Sequence, residues 1–208
     1  MKLNELKGNY DAIYALGFNC LPSIQLEKNK LRPFAGVIDW MFSDLSDVSY
    51  LMQNRFEHFM ERSNLQVVGY DYGESCYLVK DCRYNITSTH DFPVRSDPHQ
   101  QLLTYPEFQN RVERRIKRCL EKLETSRKLL FVRTGASYEQ ALLFQSILSQ
   151  MVTHDYRVLI VNYAEVEGVA DRGWDLEKVC AVDLPQYNIW TAHDEYWREI
   201  FQGINYLA

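Results

Sequence analysis

Apolar positions along the chain recur in two periods, and the alternation between them predicts most of the architecture. Residues 11–16, "DAIYAL", form a short apolar run between Asp11 and Gly17 and read as a buried strand. Leu21 to about Lys30 reads as a helix, with Pro22 tolerated in its first turn. Residues 32–43, "RPFAGVIDWMFS", are aromatic and irregular. In "DLSDVSYLMQNRFEHFM", Leu45, Val48, Leu51, Met52, Phe56 and Phe59 recur at spacings of three and four, which predicts a helix across the whole stretch. "LQVVGY" and "CYLVK" flank the turn "DYGES" as a hairpin, and "CRYNITS" is a candidate third strand.

The polar segment "THDFPVRSDPHQQLLTYPE" carries three prolines and reads as a long loop, a length usually reserved for function or disorder. A helix follows from about Pro106 to Thr125. Thr104 and Glu107 have capping-box spacing there, and Val112, Ile116, Cys119, Leu120 and Leu123 make one apolar stripe. "KLLFVRTG" is a strand, "SYEQALLFQSILSQM" a helix, "YRVLIVNYAE" and "KVCAVDLP" strands, and "AHDEYWREIFQGIN" an amphipathic helix. Strands alternating with helices predict an α/β protein. The expected sheet is mostly parallel with helices on both faces and a small antiparallel β excursion. We read residues 1–208 as a single α/β domain with a β-rich insertion at about 65–103.

Composition narrows the function. Hydrophobic residues make up 46% and charged residues 25%, ordinary for a soluble globular protein, and the formal net charge of −5 argues against nucleic acid as a partner. The N-terminal residues show no apolar stretch of signal-peptide length, and no run has the length of a membrane span, so a cytoplasmic protein without a membrane partner is expected. Five cysteines, at 20, 76, 82, 119 and 180, are odd in number and lack CxxC spacing, which argues against a disulfide scaffold and a structural zinc site. No histidine pair has metal-ligand spacing, so no metal and no cofactor is expected. Glutamates interleave the arginines and lysines of residues 107–125, which reads as a solvated helix face.

The candidate chemistry begins at Gly17-Phe18-Asn19-Cys20. In an open α/β sheet, ligands bind beyond the carboxyl ends of the strands, where this turn belongs. Gly17 can take the positive φ of a sharp strand-to-helix turn. Cys20 then falls at a helix N-terminus, where unpaired N–H groups and the helix dipole favour a thiolate and can receive an oxyanion. Asn19 offers its amide as a further donor. The competing reading of Cys20 is a small core residue.

A catalytic thiol needs a base. Among five histidines, His58 reads as packed or on the surface, His154 as a turn at the opposite sheet edge, His99 as a loop residue and His193 as the start of the last helix. His90, opening the long loop in "STHDFP", is the best candidate, with Asp91 beside it. Asp39 in "VIDW" is a plausible third member, or else a structural hydrogen-bond acceptor. Arg133 ends a strand at the edge that carries Cys20 and could bind a substrate carboxylate or phosphate, or pair locally. Asn162 ends the next strand as an oxyanion donor or a turn-shaping residue.

The segments "YALGFNCLPSIQLEKNKLR", "IDWMFS", "RFEHF", "HDFP", "FQNRVERRIKRCLEKL" and "LLFVR", in this order from about Tyr14 to Trp197, resemble a bacterial family of unknown function described as putative papain-like cysteine peptidases. Where that family has Pro-Phe-Asp-Trp, this chain has Val37-Ile38-Asp39-Trp40, keeping the Asp and Trp but not the aromatic before them. The resemblance implies Cys20 as nucleophile, His90 as base and Asp39 as a third member. It implies a cysteine-nucleophile hydrolase acting on an acyl or peptide carbonyl, with a small-molecule, peptide or glycan substrate.

The opening turn is also similar to that of capsular-polysaccharide proteins thought to handle acyl-coenzyme A. This implies an acyltransferase whose cofactor phosphates would meet Arg32, Arg83, Arg95 or Arg133. A third possibility is a non-catalytic module that binds a small anion or glycan.

Overall fold

The computed structural model describes residues 1–73, 75–94 and 101–207. Along the chain come β1 (Gly8–Tyr10), β2 (Ala12–Ala15), α1 (Leu21–Lys28), β3 (Met41–Phe42), α2 (Leu45–Gln53), β4 (Leu65–Asp71), β5 (Cys76–Asp81) and β6 (Ile86–Ser88). Then follow α3 (Tyr105–Thr125), β7 (Lys128–Thr134), α4 (Tyr138–Met151), β8 (Asp155–Ala164), β9 (Ala170–Asp171), β10 (Val179–Pro185), α5 (Asp194–Phe201) and β11 (Ile204–Tyr206). The protein is mixed α/β. A mostly parallel sheet has the order β2-β7-β8-β10-β9, an antiparallel sheet the order β3-β6-β5-β4, and β1 pairs in parallel with β11. In the first sheet, among the described residues, β9 runs antiparallel to β10 and the other pairs are parallel.

The central strands are apolar at nearly every position because both of their faces are buried. Tyr14, Phe131, Val158 and Ala181 enter one hydrophobic cluster, which also holds Leu51 of α2, Val112 and Leu123 of α3 and Phe144 of α4. Their neighbours Ile13, Leu130, Leu159 and Cys180 enter a second, with Leu26 of α1 and Trp197 and Phe201 of α5. This period of two places every other side chain on the same face.

The strand order advances from β2 to β10 without reversing, so β2 is an edge strand. The turn after β2 lies at the carboxyl end of that edge, beside the carboxyl end of β7, with which β2 pairs in parallel from Ala12↔Leu129 to Ala15↔Val132.

Three expectations change. The helix expected through Met60 stops at Gln53, and Arg55, Phe56, His58 and Met60 take positive φ of 51, 62, 58 and 58°. Long-range bonds capture this coil: Met60 N donates to Asp81 Oδ2 at 2.6 Å, and the Tyr84 and Tyr105 hydroxyls donate to the Glu57 and Met60 carbonyls. Phe56 and Phe59 stay buried, so the apolar spacing was real but not helical. The capping box at Thr104 does not form; its hydroxyl donates instead to the Asp91 carbonyl at 3.2 Å. The last helix, expected through Asn205, stops at Phe201, and after Gly203 at φ +81° the chain enters β11, while β1 and β9, of three and two residues, carry no periodic signal. None of the described helices is long and apolar enough to cross a membrane.

Candidate active site

The turn between β2 and α1 is backbone-strained and held from several sides. Gly17 has φ +71°, and a Cβ there would lie 2.7 Å from Ser43 Oγ. Phe18 follows at φ +69°, a conformation that a bulky L-residue adopts only when its surroundings enforce it. Its amide donates to Ser43 Oγ at 3.3 Å, and its ring lies against Gly135, leaving 3.4 Å for a Cβ at that glycine. Asn19 closes the turn: its Oδ1 accepts from Leu21 N at 2.9 Å, capping the first turn of α1. Cys20 is thereby fixed at the mouth of α1, 7% exposed.

His90 reaches the thiol from the segment after β6. Its Nε2 lies 3.2 Å from Cys20 Sγ, and Thr89 Oγ1 lies 3.8 Å from the same sulfur. The Asp39–Trp40 segment joins the two sides. The Asp39 carbonyl accepts from Ser23 Oγ of α1 at 3.0 Å, and the Trp40 carbonyl accepts the Thr89 amide and hydroxyl at 3.2 and 2.9 Å. The Trp40 indole stands edge-on to the imidazole at 5.5 Å. Beyond His90, Asp91 accepts from Ser88 Oγ at 2.8 Å and from Arg111 Nη2 at 3.1 Å. Phe92 is buried against Phe108 of α3, ring centres 4.7 Å apart.

Cys20 and His90 line a cavity of about 770 Å³ with Trp40, Phe42, Asp91, Arg115 and Trp190, among others. A neighbouring depression of about 420 Å³ shares Phe42 and Trp190 with it and is lined by Asn19 and Phe18. In the larger cavity Ile24 and the aromatic rings make the apolar walls, and Asp71, Thr89, Asp91 and Arg115 put polar groups on the same lining.

The other sequence candidates lie outside this cavity. Asp39 is buried, and its Oδ2 accepts from Arg32 Nε at 2.9 Å, Arg32 Nη2 at 2.7 Å and Gly36 N at 2.7 Å. Its carboxylate serves Arg32 rather than the imidazole. Arg133 is fully buried and donates to the carbonyls of Leu16, Ser43 and Gly135 and to Ser43 Oγ, which leaves it no reach to a substrate. Burial lowers its pKa to about 10. Its role in the fold is to fasten the strained turn. Asn162 bonds Ala136 through both ends of its amide, N–H to carbonyl at 3.0 Å and oxygen to N–H at 2.9 Å, and shapes the loop after β7.

His58 is exposed beside Glu61, and His154 is exposed at the start of β8, the opposite sheet edge. His193 is buried among the rings of Tyr163, Tyr187 and Tyr196. His99 and Arg95 lie outside the described residues. Arg32 is engaged by Asp39 and Glu27, and Arg83 approaches Glu57 and Tyr84, so with the buried Arg133 these arginines form no common phosphate site. None of the five cysteines is in a disulfide. Burial pushes the Cys119 and Cys180 thiols up to about 12. Among the described residues no His, Cys, Asp or Glu group is placed to hold a metal.

Sequence reasoning passed over Thr89, Trp190 and, above all, Arg115. The helix face taken as solvated is a ladder: Arg111 bonds Asp91, and Arg118 Nη2 donates to the Ala35 carbonyl at 2.6 Å over the Phe34 ring. The spacing 111, 115, 118 puts all three on one side of α3, and that register was the available signal.

A family model described as "putative papain-like cysteine peptidase (DUF1796)" matches residues 11–166. That span holds both the Cys20 turn and the His90 segment, and stops short of the Trp197 to which the motif resemblance extended. Neither the curated proteins nor the solved structures yield a match.

Proposed function

The chain belongs to this family, and on that premise we propose that it is a cysteine-nucleophile hydrolase acting on an acyl or peptide carbonyl. One observation carries the reading: a sulfur at the mouth of α1, 3.2 Å from an imidazole nitrogen, opening on a cavity. His90 takes the Cys20 proton as Sγ forms a bond to the carbonyl carbon. The carbonyl electron pair moves to oxygen, and the oxyanion collapses to expel the leaving group, which His90 protonates. A thioester remains. Water, deprotonated by His90, attacks it, and the thiolate leaves as the carboxylic acid is released.

The oxyanion donors are the Cys20 amide and Asn19 Nδ2. Leu21 N–H is already taken by Asn19 Oδ1, and Pro22 has no N–H to offer. Asp39, in this reading, positions rather than relays: it holds Arg32, whose guanidinium lies 5.3 Å from the Trp40 ring, and Trp40 borders His90. The scattered arginines speak against coenzyme A as the acyl carrier.

The test is trapping. Incubation with a p-nitrophenyl ester should leave an acyl group on the Cys20 peptide, found by mass spectrometry, and none in Cys20→Ala. Acylation in His90→Ala should fall at least about a hundredfold. An acyl mass that persists elsewhere in Cys20→Ala, with none on Cys20 in the native protein, overturns the reading.

A further inference from the structure

We infer that Arg115 is the specificity-determining residue of this site and that the substrate carries an oxyanion, a carboxylate or phosphate, which docks on its guanidinium while the acyl carbon meets Cys20. The inference rests on the hydrolase reading and adds the substrate's charge to it.

The argument is one of pairing. Arg111 and Arg118, four residues before and three after, are both engaged in holding the site together, the first on Asp91 and the second on the Ala35 carbonyl. Arg115, between them, lines the same cavity as Cys20 and His90. Among the described residues no hydrogen bond or ion pair engages its guanidinium, whereas Arg32, Arg111, Arg118 and Arg133, which surround the site, each have at least one such bond. Two carboxylates share the cavity lining, and both are engaged: Asp91 accepts from Ser88 and Arg111, and Asp71 accepts from the Gly73 amide.

Burial lowers the Arg115 pKa, against the pull of the Asp91 and Asp39 carboxylates. A half-desolvated guanidinium without a bonded partner gains from an incoming anion, and its planar fork matches a carboxylate or phosphate in two parallel bonds. Phe42, Trp40 and Trp190 supply apolar walls for the rest of such a molecule.

Iodoacetate and iodoacetamide test this on the intact chain. Both alkylate a thiolate, the sulfur bonding to the methylene carbon as iodide leaves, and they differ by one carboxylate charge. The His90 imidazole acts on both reagents in every protein compared, so the change in their rate ratio on substituting Arg115 isolates that side chain. The iodoacetate-to-iodoacetamide ratio at Cys20 should fall about tenfold in Arg115→Gln, recover in Arg115→Lys, and stay unchanged in the exposed neighbour variant Arg114→Gln. If Cys20 alkylates with both reagents and the ratio is the same in Arg115→Gln, the oxyanion inference falls and the hydrolase reading stands.

If Cys20 reacts with neither reagent, the hydrolase reading falls. The part that does not need the thiol, an oxyanion docked on Arg115, is then decided by thermal melting in succinate or inorganic phosphate against chloride at equal ionic strength. A rise in Tm with either anion that Arg115→Gln abolishes supports it, and the anion that acts tells carboxylate from phosphate. Equal melting in both proteins overturns it.

Discussion

The carbonyl of Trp40 accepts two hydrogen bonds from Thr89, one from its amide at 3.2 Å and one from its hydroxyl at 2.9 Å. Thr89 is the residue before His90, and Trp40 follows Asp39, whose carbonyl is held by α1. Two short segments 49 residues apart in sequence thus brace the sulfur and the imidazole against each other. Deleting the Asp39 carboxylate leaves Arg32 only the exposed Glu27 and frees the indole it steadies. Asp39→Ala should cost about 3 kcal/mol by denaturant unfolding, because a largely buried guanidinium loses its buried partner. It should also slow Cys20 alkylation several-fold. Destabilisation with an unchanged alkylation rate would leave Asp39 a purely structural residue.

The far side of the imidazole depends on Phe92, buried two residues after His90 and packed on Phe108. Phe92→Ala should lower stability by about 3–5 kcal/mol. The loss of Cys20 reactivity should exceed that in a core variant remote from the site, such as Phe144→Ala, when both are compared under conditions where each remains folded.

Gly17 in the turn and Gly135, which follows β7 and packs on Phe18, separate steric from conformational cost. Gly17→Ala meets Ser43 Oγ at 2.7 Å and φ +71° together, and should cost about 2–4 kcal/mol. Gly135→Ala has φ +68° but ordinary 3.4 Å contacts with the Phe18 ring, and should cost only about 1–2 kcal/mol. Equal losses would mean that the Ser43 contact yields without strain.

His193 sets an acid limit on stability. Burial lowers its pKa from 6.5 in the folded chain. The unfolded chain therefore binds the proton more readily. Stability is complete above the unfolded value and is lost as pH falls through it toward the folded one. Denaturation midpoints should decline between about pH 6.5 and 5, before the carboxylates titrate. His193→Phe, which keeps a ring among Tyr163, Tyr187 and Tyr196, should flatten that decline. An equal slope in both proteins would assign the loss to other groups.

Much of this fold is written in local pattern. The apolar runs at Ala12–Ala15, Lys128–Thr134, Asp155–Ala164 and Val179–Pro185 all became strands of the parallel sheet, because burial on both faces leaves little room for polar residues. The end of α2 was illegible for the opposite reason: Asp81 and Tyr84 stabilise left-handed residues from a distance, and no local window contains them. At the site, Gly17 announces the turn through its backbone freedom, while the guanidinium that takes Asp39 sits seven residues upstream in an irregular stretch. Arg115 was hidden by its glutamate neighbours, which give its helix the look of a solvated face.

The most direct test is the pH dependence of iodoacetamide alkylation, followed peptide by peptide, with the exposed Cys82 as an internal standard. The account predicts that Cys20 reacts faster than Cys82 near pH 6–7, roughly two units below the titration of an ordinary thiol, and that His90→Ala removes the advantage. A Cys20 that lags behind Cys82 at every pH, and reacts no differently without the imidazole, would contradict it.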